Sequence, residues 1–204
     1  MHNNVEILEE FRKTWPLTRL RSMTIDEYTS IGSFDTFTQW LESRTENLGS
    51  IWGATSYKFG VYRRKNTEKV STLPRYSTDG EYAWESKHGS TAAEAFSNVK
   101  EKIINIVNAV QSGSPLSTIE AIDLAPMVKW KIALLYQQLD NPKIIPIYSD
   151  IALNFLAFGD PFAKRTFAEA YEVLMMKKPA DADLFTYGIL EWNRWVASQA
   201  SISG

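Results

Sequence analysis

Residues 90–112 carry the strongest structural instruction in the chain. Ser90 or Thr91 can cap a helix, and Glu94 lies three residues after Thr91, the spacing of a capping box. Phe96, Val99, Ile103, Ile106, Val107 and Val110 then form one apolar stripe, and Gly113 and Pro115 end the pattern. Such a helix must bury its stripe against a partner. The residues just before it supply one. IWGATSYKFGVYRR (51–64) alternates as a strand, with Ile51, Thr55, Tyr57, Phe59 and Val61 on one face and Trp52, Ser56, Lys58, Tyr62 and Arg64 on the other. Gly53 and Gly60 imply a bulge, a bend or a close backbone approach, and a break near residues 53–56 fits the length of the run. Asp79-Gly80 is a hairpin turn signal, and EYAWESK (81–87) reads as the next strand, with Tyr82, Trp84 and Ser86 on one side. A small antiparallel sheet under one helix, with its other face open, is the expected arrangement.

The flanks read as helix. Residues 5–15 place Ile7, Leu8, Phe11 and Trp15 on one face before Pro16. Thr24 with Glu27 is a capping-box pair, and Ser33 or Asp35 can cap a helix carrying Phe37, Trp40 and Leu41. After QSGSPLST (111–118), the only linker-like stretch, strand signals nearly vanish. Residues 125–139, 150–158, 162–177 and 183–199 read as helices, and IIPIYS (144–149) as a short extended run. The expected fold is therefore α+β: a small antiparallel sheet packed with helices over residues 1–112, then a mainly helical region over 113–204, which can pack into the same domain.

A chain of 204 residues can bury a real core as one domain or two small ones. It has no cysteine, which excludes disulfides, zinc fingers, iron–sulfur sites and a thiol nucleophile. There is no P-loop, GxGxxG, GxSxG or HExxH, and only His2 and His88 are present. No cofactor is expected, and the chain reads as a non-enzyme. The N-terminus lacks a signal-peptide apolar region, and the longest apolar stretch, 151–159, is far short of the ~20 residues of a membrane span. A cytoplasmic protein without membrane contact is the expectation.

Charge is unevenly distributed. Residues 50–76 hold Lys58, Arg63, Arg64, Lys65, Lys69 and Arg75 against Glu68 alone, a net +5 in a chain whose formal charge is −2, so the remainder carries −7. Trp52, Tyr57, Tyr62 and Tyr76 lie in the same segment, with Trp84 in the neighbouring strand. Cations can neutralise phosphates, and aromatic faces can stack on exposed bases at roughly 1–3 kcal/mol each. A solvated hairpin with a charged edge strand and core aromatics accounts for the same residue types. On the nucleic-acid reading, Lys58, Arg63, Arg64, Lys65, Lys69 and Arg75 contact phosphates. Trp52, Tyr62 and Trp84 are then the candidate base-contacting aromatics, with Trp52 and Tyr62 sharing a predicted face with Lys58.

Two further constellations have bland and sharp readings. Asp79 with Glu85-Ser86-Lys87 imitates the Asp…Glu-x-Lys arrangement of Mg²⁺-dependent nucleases, although an outward-facing E-x-K on a charged strand is common. Trp192-Asn193-Arg194-Trp195 invites a ligand cage, but two tryptophans at i and i+3 share one helical face and fit a core or a helix–helix interface. Met175-Met176 reads as core or interface filler.

MTIDEYTSIG, FTQWLE, LGSIWGATSYKFGVYRR and YAWESKHGSTAAEAF, followed by KWKIALLYQ (129–137), resemble the N-terminal region of McrB-like AAA+ proteins. These are motor subunits of modification-dependent restriction systems. The resemblance covers most of the chain and includes no catalytic signature. It implies a specificity module that recognises a DNA site, often with a modified base, and that some members flip into an aromatic pocket. The partners it implies are a separate AAA+ motor domain and a nuclease subunit. A protein-interaction module docking a motor or nuclease, and a small Mg²⁺ nuclease using Asp79, Glu85 and Lys87, are the alternatives.

Overall fold

The computed structural model describes residues 3–68 and 73–202. The chain is α+β, a three-stranded antiparallel sheet set among helices. Helix α1 (Asn4–Thr14) begins with a capping box between Asn3 and Glu6, and Pro16 starts the short α2 (Leu17–Ser22). Helix α3 (Ile25–Tyr28) is one turn held by the expected Thr24–Glu27 box. Thr36, rather than Ser33 or Asp35, caps α4 (Phe37–Gln39), which widens into a π turn over Trp40–Arg44. The order then runs β1 (Val61–Arg63), β2 (Tyr76–Thr78), β3 (Tyr82–Glu85), α5 (Ala92–Gln111), α6 (Leu116–Glu120), α7 (Pro126–Tyr136), α8 (Asp150–Phe158), α9 (Phe167–Lys177) and α10 (Leu184–Ile202).

Strand β3 is central, pairing Trp84 with both Val61 and Ser77. Val61 and Trp84 thus share the inner face and pack with α5. On that helix, Phe96, Val99, Ile103, Ile106 and Val107 are buried as the stripe requires, and Val110 is packed at its edge. Tyr62, Ala83, Tyr76 and Thr78 lie on the outer face.

The expected strand over 51–64 shrinks to three residues. Gly53 (φ +96°) and Gly60 (φ +79°) both hold conformations that interrupt extended backbone. Between them Ser56–Phe59 winds into a 3₁₀ turn. A Cβ at Gly60 would lie 2.6 Å from Val99 Cγ2, so the glycine lets the chain press onto α5 before β1 starts. The expected strand over 81–87 likewise stops at Glu85, where Ser86–His88 turns tightly.

The linker-like 111–118 continues directly into α6, whose Leu116 and Ile119 are buried. Helix α9 starts only at Phe167, behind a Thr166–Glu169 capping box, so 162–165 is not helical. One apolar cluster runs through both halves of the chain. Its hub is α7, where every residue from Val128 to Tyr136 is buried, Lys129 and Lys131 included. The Tyr136 hydroxyl donates to Trp15 O at 2.5 Å, and Arg12 Nε donates to Leu135 O at 2.7 Å. Among the described residues no helix is long and apolar enough to cross a membrane.

Candidate functional site

The basic segment does not form the surface its composition suggests. Lys58 sits in the 3₁₀ turn, not on a strand, and is buried. Its Nζ meets Glu42 Oε1 at 2.5 Å and donates to Ile51 O at 2.8 Å. Arg64 is also buried, donating from Nη1 to Thr78 Oγ1 at 3.2 Å and Gly80 O at 3.3 Å, which ties β1 to the hairpin turn. Arg63 lies at the sheet edge between Asp26 (3.2 Å) and Glu81 (2.5 Å). Trp84 is 3% exposed and its Nε1 donates to Gly89 O at 2.8 Å. Lys58, Arg64 and Trp84 are therefore corrected from ligand contacts to structural members, and Arg63 is largely spent on two carboxylates. Glu42, Asp26 and Glu81 all lie outside 50–76, so the +5 segment is partly neutralised in space by the acidic remainder. Lys69 lies outside the described residues.

Tyr62, Lys65 and Arg75 remain available. Lys65 is exposed and, among the described residues, forms no ion pair. The Arg75 guanidinium lies 4.8 Å over the ring of Tyr76. Tyr76 stacks on Tyr57 at 3.6 Å, and Tyr57 meets Tyr62 edge-on at 5.1 Å. These three tyrosines, all half-buried, make a ledge on the outer sheet face. Partial burial, reinforced by Tyr57, pushes the Tyr62 phenol up to about 12, so that hydroxyl is neutral at pH 7.

Trp52 is 64% exposed but does not join the ledge's ring contacts. It stands at the mouth of a cavity of about 470 Å³ between the loop 46–52, the segment 146–149 and α10. Tyr148 and Phe185 line its depth and Trp192 its rim. Two glycines permit this junction. A Cβ at Gly49 (φ +93°) would lie 2.5 Å from Pro146 O, and one at Gly188 would lie 2.5 Å from Pro146 Cγ. The loop is held from below by Lys131, which donates to Thr45 O at 2.6 Å, Gly49 O at 2.5 Å and Leu48 O at 3.2 Å. The Tyr148 hydroxyl donates to Leu48 O at 2.9 Å. Burial lowers the Lys131 pKa well below the ordinary lysine value, partly offset by Glu46.

The nuclease-like residues do not converge. Asp79 Oδ1 accepts from the backbone N–H groups of Glu81 and Tyr82, fixing the hairpin turn. Glu85 lies three residues beyond Tyr82, roughly 10 Å along the strand. There Lys87 bridges Glu85 (3.2 Å) and Asp123 (2.7 Å), and His88 sits buried between Glu85 and Lys102. Burial first, then Lys102, lowers the His88 pKa to about 4, so the ring is neutral at pH 7. Among the described residues no cluster of three or more His, Cys, Asp or Glu side chains could hold a metal.

Tyr57 and Tyr76 were visible as members of an aromatic segment, but their stacking depends on how β2 closes over the 3₁₀ turn. Tyr148, Phe185 and Glu46 carried no local signal, because the cavity forms where three distant segments meet. Trp192 was read as core or interface and is instead 43% exposed at the cavity rim, while Trp195 packs on Phe155 at 5.4 Å. No family model, curated protein or solved structure matches the chain.

Proposed function

We propose that the chain is a DNA-binding specificity module of a modification-dependent restriction or defence system, serving a separate AAA+ motor and nuclease. The observation that carries this reading is the tyrosine ledge. Tyr57, Tyr62 and Tyr76 offer aromatic surface beside Arg75 and Lys65, the pairing of stacking and phosphate neutralisation that nucleic-acid binding uses. The module binds and does not cut.

With Lys65, Arg75 and one further cation engaged, roughly two to three phosphates are neutralised. The salt slope is then about −1.8 to −2.7, and raising salt from 50 to 200 mM weakens binding about ten- to forty-fold. Such binding is weak alone and needs a motor assembly that presents several modules together. Fluorescence anisotropy with modified and unmodified duplexes at the two salt concentrations tests this. Arg75→Glu with Lys65→Glu should abolish binding, and unchanged affinity would sink the assignment. Charge reversal at Arg63 or Arg64 is the poorer test, because both hold the sheet together.

A protein-docking reading rests on a different observation. Phe162 is 77% exposed and Leu190 of α10 60% exposed, apolar surface that a motor or nuclease subunit could cover. It predicts co-purification with such a subunit and no DNA affinity at low salt.

A further inference from the structure

We infer that the cavity between Trp52 and Trp192 is a binding site for a methylated ammonium group, separate from the DNA-contacting ledge. Its walls are aromatic: Trp52 and Trp192 at the rim, Tyr148 and Phe185 within. Among the described residues neither rim indole pairs with another ring, and Trp52 is 64% and Trp192 43% exposed. The only ionisable acid in the lining is Glu46, which is exposed and forms no ion pair among the described residues. Among the described residues no lysine or arginine lines the cavity.

That charge pattern decides the ligand class. A cavity built for phosphates would carry cations at its edge, and this one presents a carboxylate. Aromatic faces attract cations through the ring quadrupole, most strongly for tryptophan, and a nearby carboxylate adds Coulombic attraction. A bare ammonium loses too much hydration on entering an apolar cavity. A methylated ammonium spreads its charge over apolar methyl groups and fits the walls. Lys131 already takes one of these rings, its Nζ lying 5.5 Å from the Tyr148 ring centroid, and leaves those of Trp52, Trp192 and Phe185. It lies outside the lining, and its three donors are bonded to the carbonyls of Thr45, Leu48 and Gly49. Those bonds hold the loop that carries Trp52, so the cage is built before a ligand arrives.

The same headgroup chemistry occurs in free quaternary amines and in trimethyllysine side chains of peptides. The test titrates the chain with choline, with a short trimethyllysine peptide and with 3,3-dimethyl-1-butanol, the uncharged carbon analogue of choline, following tryptophan fluorescence. Saturable binding of a cation at least ten-fold tighter than the carbon analogue is expected. Tighter binding of choline assigns the site to a free amine, and tighter binding of the peptide assigns it to a modified protein tail. Trp52→Ala and Trp192→Ala should each weaken binding about ten-fold or more, and Glu46→Gln several-fold; all three side chains are substantially exposed, so the fold is retained. Equal binding of the carbon analogue overturns the proposal. So does the absence of saturation by either cation, or tighter binding of a nucleoside than of choline. DNA binding through Arg75 is measured on the same variants, so loss of one site is distinguishable from loss of the other.

Discussion

The tyrosine ledge and the tryptophan cavity are both aromatic, yet they sit in opposite electrostatic surroundings. Arg75 lies against the ledge, while Glu46 borders the cavity. The sequence places Trp52 and Tyr62 ten residues apart in one basic run, and folding sends them to different sites. Where a side chain's partners lie, rather than its neighbours in sequence, decides what its charge or ring can do. The two regions also differ in support: the ledge lies on a three-stranded sheet, whereas the cavity wall is a loop held by the buried ammoniums of Lys131 and Lys58.

The sharpest break in this comparison is between two tryptophans that the sequence presents alike. Trp84→Ala should cost about 3–5 kcal/mol, because it empties a core site and orphans the carbonyl of Gly89. That corresponds to a fall in Tm of roughly 6–20 °C for a chain of this size. Trp52→Ala, at an exposed position, should change stability by no more than about 0.5 kcal/mol. Thermal unfolding of both variants checks this, and equal losses would mean that Trp52 is a core residue.

Lys131→Met comes next. The methionine keeps most of the buried stem but removes three hydrogen bonds; Thr45 O keeps the Leu48 N–H and Leu48 O the Tyr148 hydroxyl, while Gly49 O loses its donor. Each lost partner costs on the order of 1 kcal/mol, so about 3 kcal/mol in all. Part of this is returned because a charged group need no longer be buried. The loop 45–52 should loosen while the sheet does not, which hydrogen exchange can read. Exchange that rises equally at β1 and β3 would show that the two regions are coupled.

Much of this architecture was legible from local pattern. The stripe and cap of α5, the Thr24–Glu27 box and the Asp79-Gly80 turn are decided by residues within a few positions of one another. The strand over 51–64 failed because alternation alone does not register Gly60, whose absent side chain is required by Val99, a residue in another element. Two members of the candidate site are lost for the same reason. Lys58 and Arg64 look free until Glu42 and Gly80 are brought to them by the fold. The cavity was invisible because its walls come from three segments up to about 140 residues apart.

Acid should act through His88, which belongs to neither aromatic region and joins β3 to α5. Its folded pKa of about 4 lies below the ordinary 6.5, so the unfolded chain binds the proton more readily. The stability it supports is complete above pH 6.5 and is lost as pH falls toward 4. The shift corresponds to on the order of 3 kcal/mol. Glu85, Lys87, Lys102 and Asp123 all face this site, so the loss is read against the His88→Asn variant. Denaturant unfolding between pH 7 and 4.5 should be steep in the parent chain and flatter in that variant. Equal slopes would assign the acid sensitivity to the carboxylates.

The effect on stability at Arg75 is also small, and it sharpens the comparison most directly. Arg75→Gln removes an exposed charge that rests on the ring of Tyr76, a contact of roughly 0.5–1 kcal/mol at an exposed site. The folded chain should hardly notice. If Arg75 neutralises one phosphate, the salt slope of DNA binding should fall by about 1, uniformly across sequences. Choline binding at the cavity should stay unchanged. A slope that stays the same would leave the ledge as ordinary sheet surface, whereas a parallel loss at both sites would mean that Trp52 and Tyr62 serve one ligand after all.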